Sequence, residues 1–423
     1  NILEAANQVI SNNTERKGKN LWTAGSSGDK VLIHRVGDEE EESRLIADAV
    51  LENVKAGAKF SDHAVLYRMN AQSGTVERAL AKNAIPYRII GGVRFYERKE
   101  IKDMIAYLTV LVNPTDNLRL SRIINEPKRG IGATTVEAAQ DISASLGLSL
   151  LEVLRQAEQF ASLSRKKGAL DPFVSMMDEL SHLAETQPLD LVLEQLLEKT
   201  GYRMMLQGQG IEGAVRMENI LELKSNLIRY QQENPEGTLS GFLEEIALYT
   251  DLDNYDPGTD AMVLMTIHAA KGLEFDHVFI AGMDEGIFPG RNAINFPPEI
   301  EEERRLAYVA ITRAMDRLFL TSATQRMMFG TTQFNPPSRF LKEIPGRLIE
   351  QDGLEIRQAP RRETRPPKDK HTGLGGGGLS RGTASAAAAR VPKDILALGD
   401  KVTHPTFGQG VVIAADGQQG RRK

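Results

Sequence analysis

VLMTIHAAKGLEF, Val263–Phe275, is the stretch that decides the fold. Met262–Ile267 is an apolar run bounded by a polar turn. Such a run suits a strand of a parallel sheet, buried on both faces. The turn after it carries an imidazole, an ammonium and a carboxylate: His268, Lys271 and Glu274. Ligands of open α/β sheets sit at the carboxyl ends of strands, so this order suits phosphate and ribose contacts. The alternative is a surface turn with incidental charges.

Working outward, His277–Ala281 reads as a second buried strand, Glu301–Arg313 as a helix and Leu318–Ser322 as a third strand. Toward the start, Lys30–Arg35, Ala64–Tyr67 and Tyr87–Ile90 read as strands, with helices over Asp38–Lys55 and after a capping Ser73. The carboxylates Glu39–Glu42 read as a solvated first helical turn that complements the helix dipole. Between these two blocks the strand signal vanishes. Helical periodicity runs over Lys99–Val112, Thr134–Ser145, Leu189–Lys199, Val215–Gln232 and Leu239–Tyr249. The pattern is one α/β domain interrupted by an all-helical insertion. The expected divisions are 1–95 plus 253–350 for the α/β domain and 96–252 for the insertion. A flexible linker rich in Gly, Ala and Pro follows over 351–393. A small β module, expected to be truncated, occupies 394–423.

Composition narrows the classes. A chain of 423 residues suggests two or three domains. It has no cysteine, which excludes disulfides and thiolate metal sites and fits a reducing cytosol. No membrane partner is expected, because no run of 18 apolar residues occurs and no leader is visible at the start. Asn1 opens inside an amphipathic pattern, which suggests a piece of a longer chain. A net charge of −5 argues neither for nor against nucleic acid, since a basic groove can lie on an acidic protein. No GxxxxGK[ST] phosphate loop and no metal-ligand spacing of the seven histidines is present.

Within EEERRLAYVAITRA, Glu301–Ala314, helical spacing places Leu306, Val309 and Ala310 on one stripe and ends at Arg313. That arginine either complements the helix dipole or reaches across a domain interface to a transferring phosphoryl group. Lys128 and Arg129 precede Gly130-Ile131-Gly132, and Thr134 with Glu137 then reads as a capping box. Backbone N–H groups at such a helix start make a phosphate site, or the segment is an ordinary interhelical turn.

Seven segments in order carry a resemblance. They are LYRMNAQS (Leu66–Ser73), YRIIGGVRFYERKEIKD (Tyr87–Asp103), PKRGIG (Pro127–Gly132), TIHAAKGLEF, GMDEGIFP (Gly282–Pro289), EEERRLAYVAITRA and PPSRF (Pro336–Phe340). Together they resemble the UvrD/PcrA/Rep family of superfamily 1 DNA helicases, over residues 1 to about 345 and again at the tail. The resemblance implies the second RecA-like, P-loop-NTPase-type core domain of an ATP-dependent 3′–5′ helicase of DNA repair and replication. The partner would be its own N-terminal core domain, holding the phosphate loop and most of the Mg²⁺ ligands for ATP. Arg313 is then the arginine finger and Glu274 the ribose carboxylate. His268, Lys271, Arg68, Asn70 and Arg94 are implied DNA contacts, and Phe329 packs against bases of the single strand. Lys128, Arg129, Gly130 and Gly132 are implied contacts to duplex DNA. The tail resembles a Tudor-like module that holds RNA polymerase, and the location implied is the bacterial cytosol and nucleoid. One departure is Gly290, where a family member carries a DNA-touching histidine. Standing alone, the chain could instead be a non-catalytic DNA- or protein-binding module.

Overall fold

The computed structural model describes residues 1–14, 21–25, 27–252, 258–353, 401–404 and 408–411. Residues 1–359 cluster as one compact unit and 360–423 as another. In the first, seven strands form one sheet: β1 (Val31–Val36), β2 (His63–Tyr67), β3 (Tyr87–Ile90), β4 (Met262–Thr266), β5 (Phe275–Ile280), β6 (Ala314–Ala323) and β9 (Ile349–Gly353). Their order is β3-β4-β2-β5-β6-β1-β9, and every pairing is parallel. β7 (Gln325–Met328) and β8 (Thr331–Phe334) make a separate antiparallel hairpin.

The central strands are apolar at almost every position because both faces are covered. Ala64, Leu66, Val263, Met265, Val278, Ile280, Leu318 and Leu320 point one way. They meet the helices Ile2–Ile10 and Pro297–Ile311 through Ala5, Ala6, Ala307 and Ala310. Val65, Tyr67, Met262, Leu264, Phe279 and Phe319 point the other way, onto Ile46, Val50, Val76 and Leu80 of the helices Glu39–Lys55 and Ser73–Lys82. The period-2 alternation of a strand therefore feeds two cores.

A third core is separate and wholly helical, running from Phe95 to Ile246. It joins the sheet between β3 and β4, which are hydrogen-bonded neighbours. The helices Lys99–Val112 and Leu189–Lys199 and the strand Tyr87–Ile90 fall where periodicity puts them. Three local expectations fail. Ser73 is the first helical residue rather than the cap; Gln72 precedes it, and the Ser73 hydroxyl accepts from Arg98 instead. Thr134 makes no capping box, because the helix starts at Ala133 with Gly132 at the cap position. Strand β9 occupies the first residues assigned to the linker, and the linker from 354 onward lies outside the described residues. In the second unit, β10 (Lys401–His404) and β11 (Gly408–Val411) pair as an antiparallel hairpin. The remainder of the expected β module also lies outside the described residues.

The largest correction concerns Glu39–Glu42. They do form the first helical turn, but only Glu41 of the four is exposed, and Glu39 and Glu42 are buried. Glu42 is fully buried, and both its oxygens bind the Arg326 guanidinium at 2.7 Å. Thr321 Oγ1 (2.6 Å) and the Gly282 N–H (3.0 Å) also donate to it. Burial pushes the Glu42 carboxyl up, but Arg326 and these donors outweigh it and hold it below its ordinary range. Arg326 Nε donates to Asp284 Oδ2 at 2.6 Å. Asp284 is pushed up to about 6 by burial, with Glu42 adding repulsion against the pull of Arg326. Glu39 pairs with Arg229 from the insertion and also accepts the Met327 N–H. The acidic turn is thus the anchor of hairpin β7–β8 and of the insertion helix Gly210–Glu233. Glu222 of that helix is buried beside the same charges, and burial raises its carboxyl to about 7.

Candidate functional site: two edges of one sheet

The sheet splits the expected residues into two groups. Because all strands run the same way, one edge collects every strand's carboxyl end. Arg68 and Asn70 follow β2, Arg94 follows β3, His268 follows β4, and the GMDEGIFP loop follows β5. Phe329 lies in the turn of the hairpin that follows β6, with a positive φ of 55°. Glu274 and Arg313 lie at the other edge, immediately before β5 and β6. The expectation that His268, Lys271 and Glu274 share one strand-end turn is therefore corrected. Residues 267–274 cross the sheet, whose six-residue strand β5 spans roughly 20 Å.

At the amino edge, strand pairing brings the two deciding segments together. The Phe275 N–H donates to the Arg313 carbonyl at 3.0 Å. The Arg313 guanidinium lies against the helix end: Nη1 donates to the Leu273 carbonyl (2.9 Å), Nε to the Val309 carbonyl (3.1 Å) and Nη2 to Thr312 Oγ1 (3.1 Å). Each of these nitrogens makes one bond, so of five N–H donors two remain. Glu274 is exposed beside it. An exposed carboxylate and a half-engaged guanidinium can take a ribose hydroxyl and a phosphoryl oxygen. That donor set fits half of a nucleotide site. Among the described residues no three His, Asp or Glu side chains converge as metal ligands.

At the carboxyl edge, a cleft of about 450 Å³ is lined by Arg68, Met69, Gly290, Glu303, Met328 and Phe329. Arg68 is gripped by Glu303, with Nε at 3.1 Å from both oxygens and Nη2 at 2.8 Å from Oε1. Gln72 Oε1 accepts from the backbone N–H groups of Arg68 (3.0 Å) and Met69 (2.9 Å). Gln72 sits so close to Gly282 that an added Cβ there would lie 2.3 Å from its Nε2, at a φ of +74°. The left-handed φ is what favours glycine at that position. His268 is exposed, and partial burial with nearby Arg68 holds its imidazole below the ordinary value. Lys271 is exposed on the crossing segment. Glu218 reaches the same cleft from the insertion, and burial raises its carboxyl.

Other expected residues lie apart from this cleft. Arg94 stacks over the Tyr87 ring at 5.3 Å and lines a separate groove against the insertion. Lys128, Gly130 and Gly132 are exposed on the insertion, with open space around both glycines. Arg129 turns inward. It donates to the carbonyls of Ile123 (3.0 Å), Pro127 (3.1 Å) and Thr200 (3.2 Å) and to the Tyr107 hydroxyl (2.6 Å), and its guanidinium lies over Phe173. It braces the insertion core, with both terminal nitrogens of its guanidinium engaged internally.

Sequence reasoning missed Glu303, Glu42, Asp284 and Arg326. Their partners are 235 to 284 residues away or lie across a loop, so no local spacing signals them. The GMDEGIFP and PPSRF segments meet the same way, through Arg339 and Glu285 (2.7 Å).

An all-parallel sheet covered by helices on both faces, with Glu274 and Arg313 at one edge and a cation-and-aromatic cleft at the other, is a RecA-like domain. The chain belongs to the UvrD-like helicase C-terminal domain family, which matches residues 1–325. It is 40% identical over 427 residues to the ATP-dependent DNA helicase PcrA of Bacillus subtilis, covering 99% of this chain and 57% of that protein. It is 41% identical to the PcrA helicase of Staphylococcus epidermidis and 40% identical to that of Staphylococcus aureus, with the same coverage. The chain thus spans 57% of the length of these relatives. Among the described residues no helix is long and apolar enough to cross a membrane.

Proposed function

We propose that this chain is the sensing and gripping half of an ATP-dependent 3′–5′ DNA helicase. Its amino edge completes an ATP site whose phosphate loop and Mg²⁺ ligands come from a companion core domain. Arg313 stabilises the charge of the transferring phosphoryl group, and Glu274 holds the ribose. The carboxyl edge grips single-stranded DNA. Arg68, Asn70, His268, Lys271 and Arg94 track phosphates, while Phe329 offers a ring to bases of any sequence.

The observation that supports this best is the split itself: Glu274 and Arg313 at one edge and Arg68, His268 and Phe329 at the other, with the helix Pro297–Ile311 running between them. Closure on ATP at one edge then changes the grip at the other. Two further partners rest on the family likeness rather than the geometry. They are duplex DNA at Lys128, Gly130 and Gly132, and RNA polymerase at the tail module. A bacterial cytosolic location follows from the same reading.

The test joins this chain to a phosphate-loop core domain and measures DNA-stimulated ATP hydrolysis. Arg313→Ala lowers turnover by about 10³-fold while single-strand binding is kept. Near-normal turnover in that variant refutes the role of Arg313. The chain by itself binds single-stranded DNA and does not hydrolyse ATP.

A further inference from the structure

A cleft that grips phosphates should shed carboxylates, yet Glu303 lies in the wall of the Arg68–Phe329 cleft with only 6% of its surface exposed. Its oxygens are fully engaged. They accept from Arg68 Nε and Nη2, and Oε2 also takes the Gly290 N–H at 3.1 Å. The grip on Arg68 is side-on. A guanidinium carries five N–H groups in a rigid fork, and this clamp uses only the Nε–Nη2 edge. Among the described residues Nη1 makes no hydrogen bond. The Arg68 side chain keeps 27% of its surface exposed and lines the cleft.

We propose that Glu303 is a positioning residue: it holds Arg68 side-on so that the Nη1–Nη2 end meets a phosphate of the single strand. The proposal rests on the DNA-binding reading of Arg68. An unpinned arginine loses rotamer entropy each time it binds; a clamped one has already lost it. Glu303 also ties the end of β2 to the GIFPG loop through Gly290. Its own helix runs on to Thr312 and Arg313, so the clamp joins the phosphate contact to the segment that carries the finger.

The experiment follows anisotropy of a fluorescein-labelled oligodeoxythymidine against salt. It uses the full 423-residue chain, with thermal melting as the folding control. Arg68→Ala weakens binding about tenfold and flattens the salt slope by about 0.7. Glu303→Ala does the same even though it removes a negative charge from the cleft, and Arg68→Ala with Glu303→Ala is no worse than Arg68→Ala. Glu303→Gln keeps the shape and one acceptor oxygen. It gives an intermediate loss and decides the matter if the alanine variant melts early. Tighter binding with a steeper slope in Glu303→Gln would overturn the proposal, since the carboxylate would then merely compete with DNA. An Arg68→Ala variant with unchanged affinity and slope instead sinks the DNA reading of Arg68, and the clamp with it.

Discussion

Replacing Arg326 with methionine tests how the hairpin is held. The side chain is fully buried between Glu42 and Asp284, with three bonds of 2.6 to 2.7 Å. Methionine fills much of the volume but removes the charge, so two carboxylates are left buried together. Breaking one buried pair by deleting a partner costs about 3–5 kcal/mol, and here two anions lose the same cation. The upper end, about 5 kcal/mol, is expected at pH 8. That is comparable to the whole stability of a marginal domain, roughly 5–15 kcal/mol. The cost must shrink on acidification. Asp284 already sits near 6 with Arg326 present; without it Asp284 rises further, and Glu42 loses the cation that holds it low. A raised carboxyl destabilises above its folded value and is relieved as pH falls through that value. The wild type behaves oppositely at Glu42. Its depressed carboxyl contributes stability above the unfolded value of 4.5 and loses it only below that. Urea unfolding of both proteins at pH 8 and pH 5.5 gives the two differences. A penalty below about 1 kcal/mol at pH 8, or one that does not change by pH 5.5, refutes this account. Adding Glu42→Gln and Asp284→Asn to Arg326→Met should recover most of the loss.

Two other outcomes are expected. His63 and His277, paired across strands β2 and β5, stack at 4.6 Å, and burial lowers both; for His63 the neighbouring His277 lowers it further, and for His277 Arg317 does. The fold disfavours the charged form of both imidazoles, so stability is full above the unfolded value of 6.5 and falls as pH drops below it; His277→Gln should flatten that decline in thermal melts between pH 7.5 and 5.5. Arg129→Ala should destabilise the insertion by about 2–4 kcal/mol through its orphaned carbonyls, whereas Lys128→Ala leaves the melt unchanged and weakens only duplex binding.

Strong periodicity made the skeleton legible. Lys99–Val112, Leu189–Lys199 and Tyr87–Ile90 carry long or clean apolar patterns, and their bounds were plain in the sequence. Strand β9 was not, since Ile-Glu-Gln-Asp-Gly is an edge strand with one apolar residue. Residue types at the site were readable, but their partners were not. Arg129 and Arg326 look like any exposed cation in the sequence, and only tertiary contacts show that their guanidinium ends are engaged internally. Glu39–Glu42 failed for the same reason: Arg229 and Arg326 lie 190 and 284 residues further on. The separation of Glu274 from His268 needed strand polarity as well as the motif. Eight residues suffice to cross the sheet, so one short motif serves both edges.

The insertion leaves the sheet after β3 and returns before β4, its hydrogen-bonded neighbour. Parallel neighbours cannot be joined by a tight turn; they need a crossover of about a dozen residues. The helical part is therefore a replaceable cassette, exchangeable for one short connecting helix without changing the strand order. The exchange would also have to neutralise Glu39 and Glu40, which would otherwise lose Arg229, and give the Gly330 N–H a new acceptor in place of Ser225 Oγ. Those polar contacts, together with Arg98 on Ser73 and the Asn70 carbonyl and Arg78 on Asn226, hold the cassette to this particular chassis.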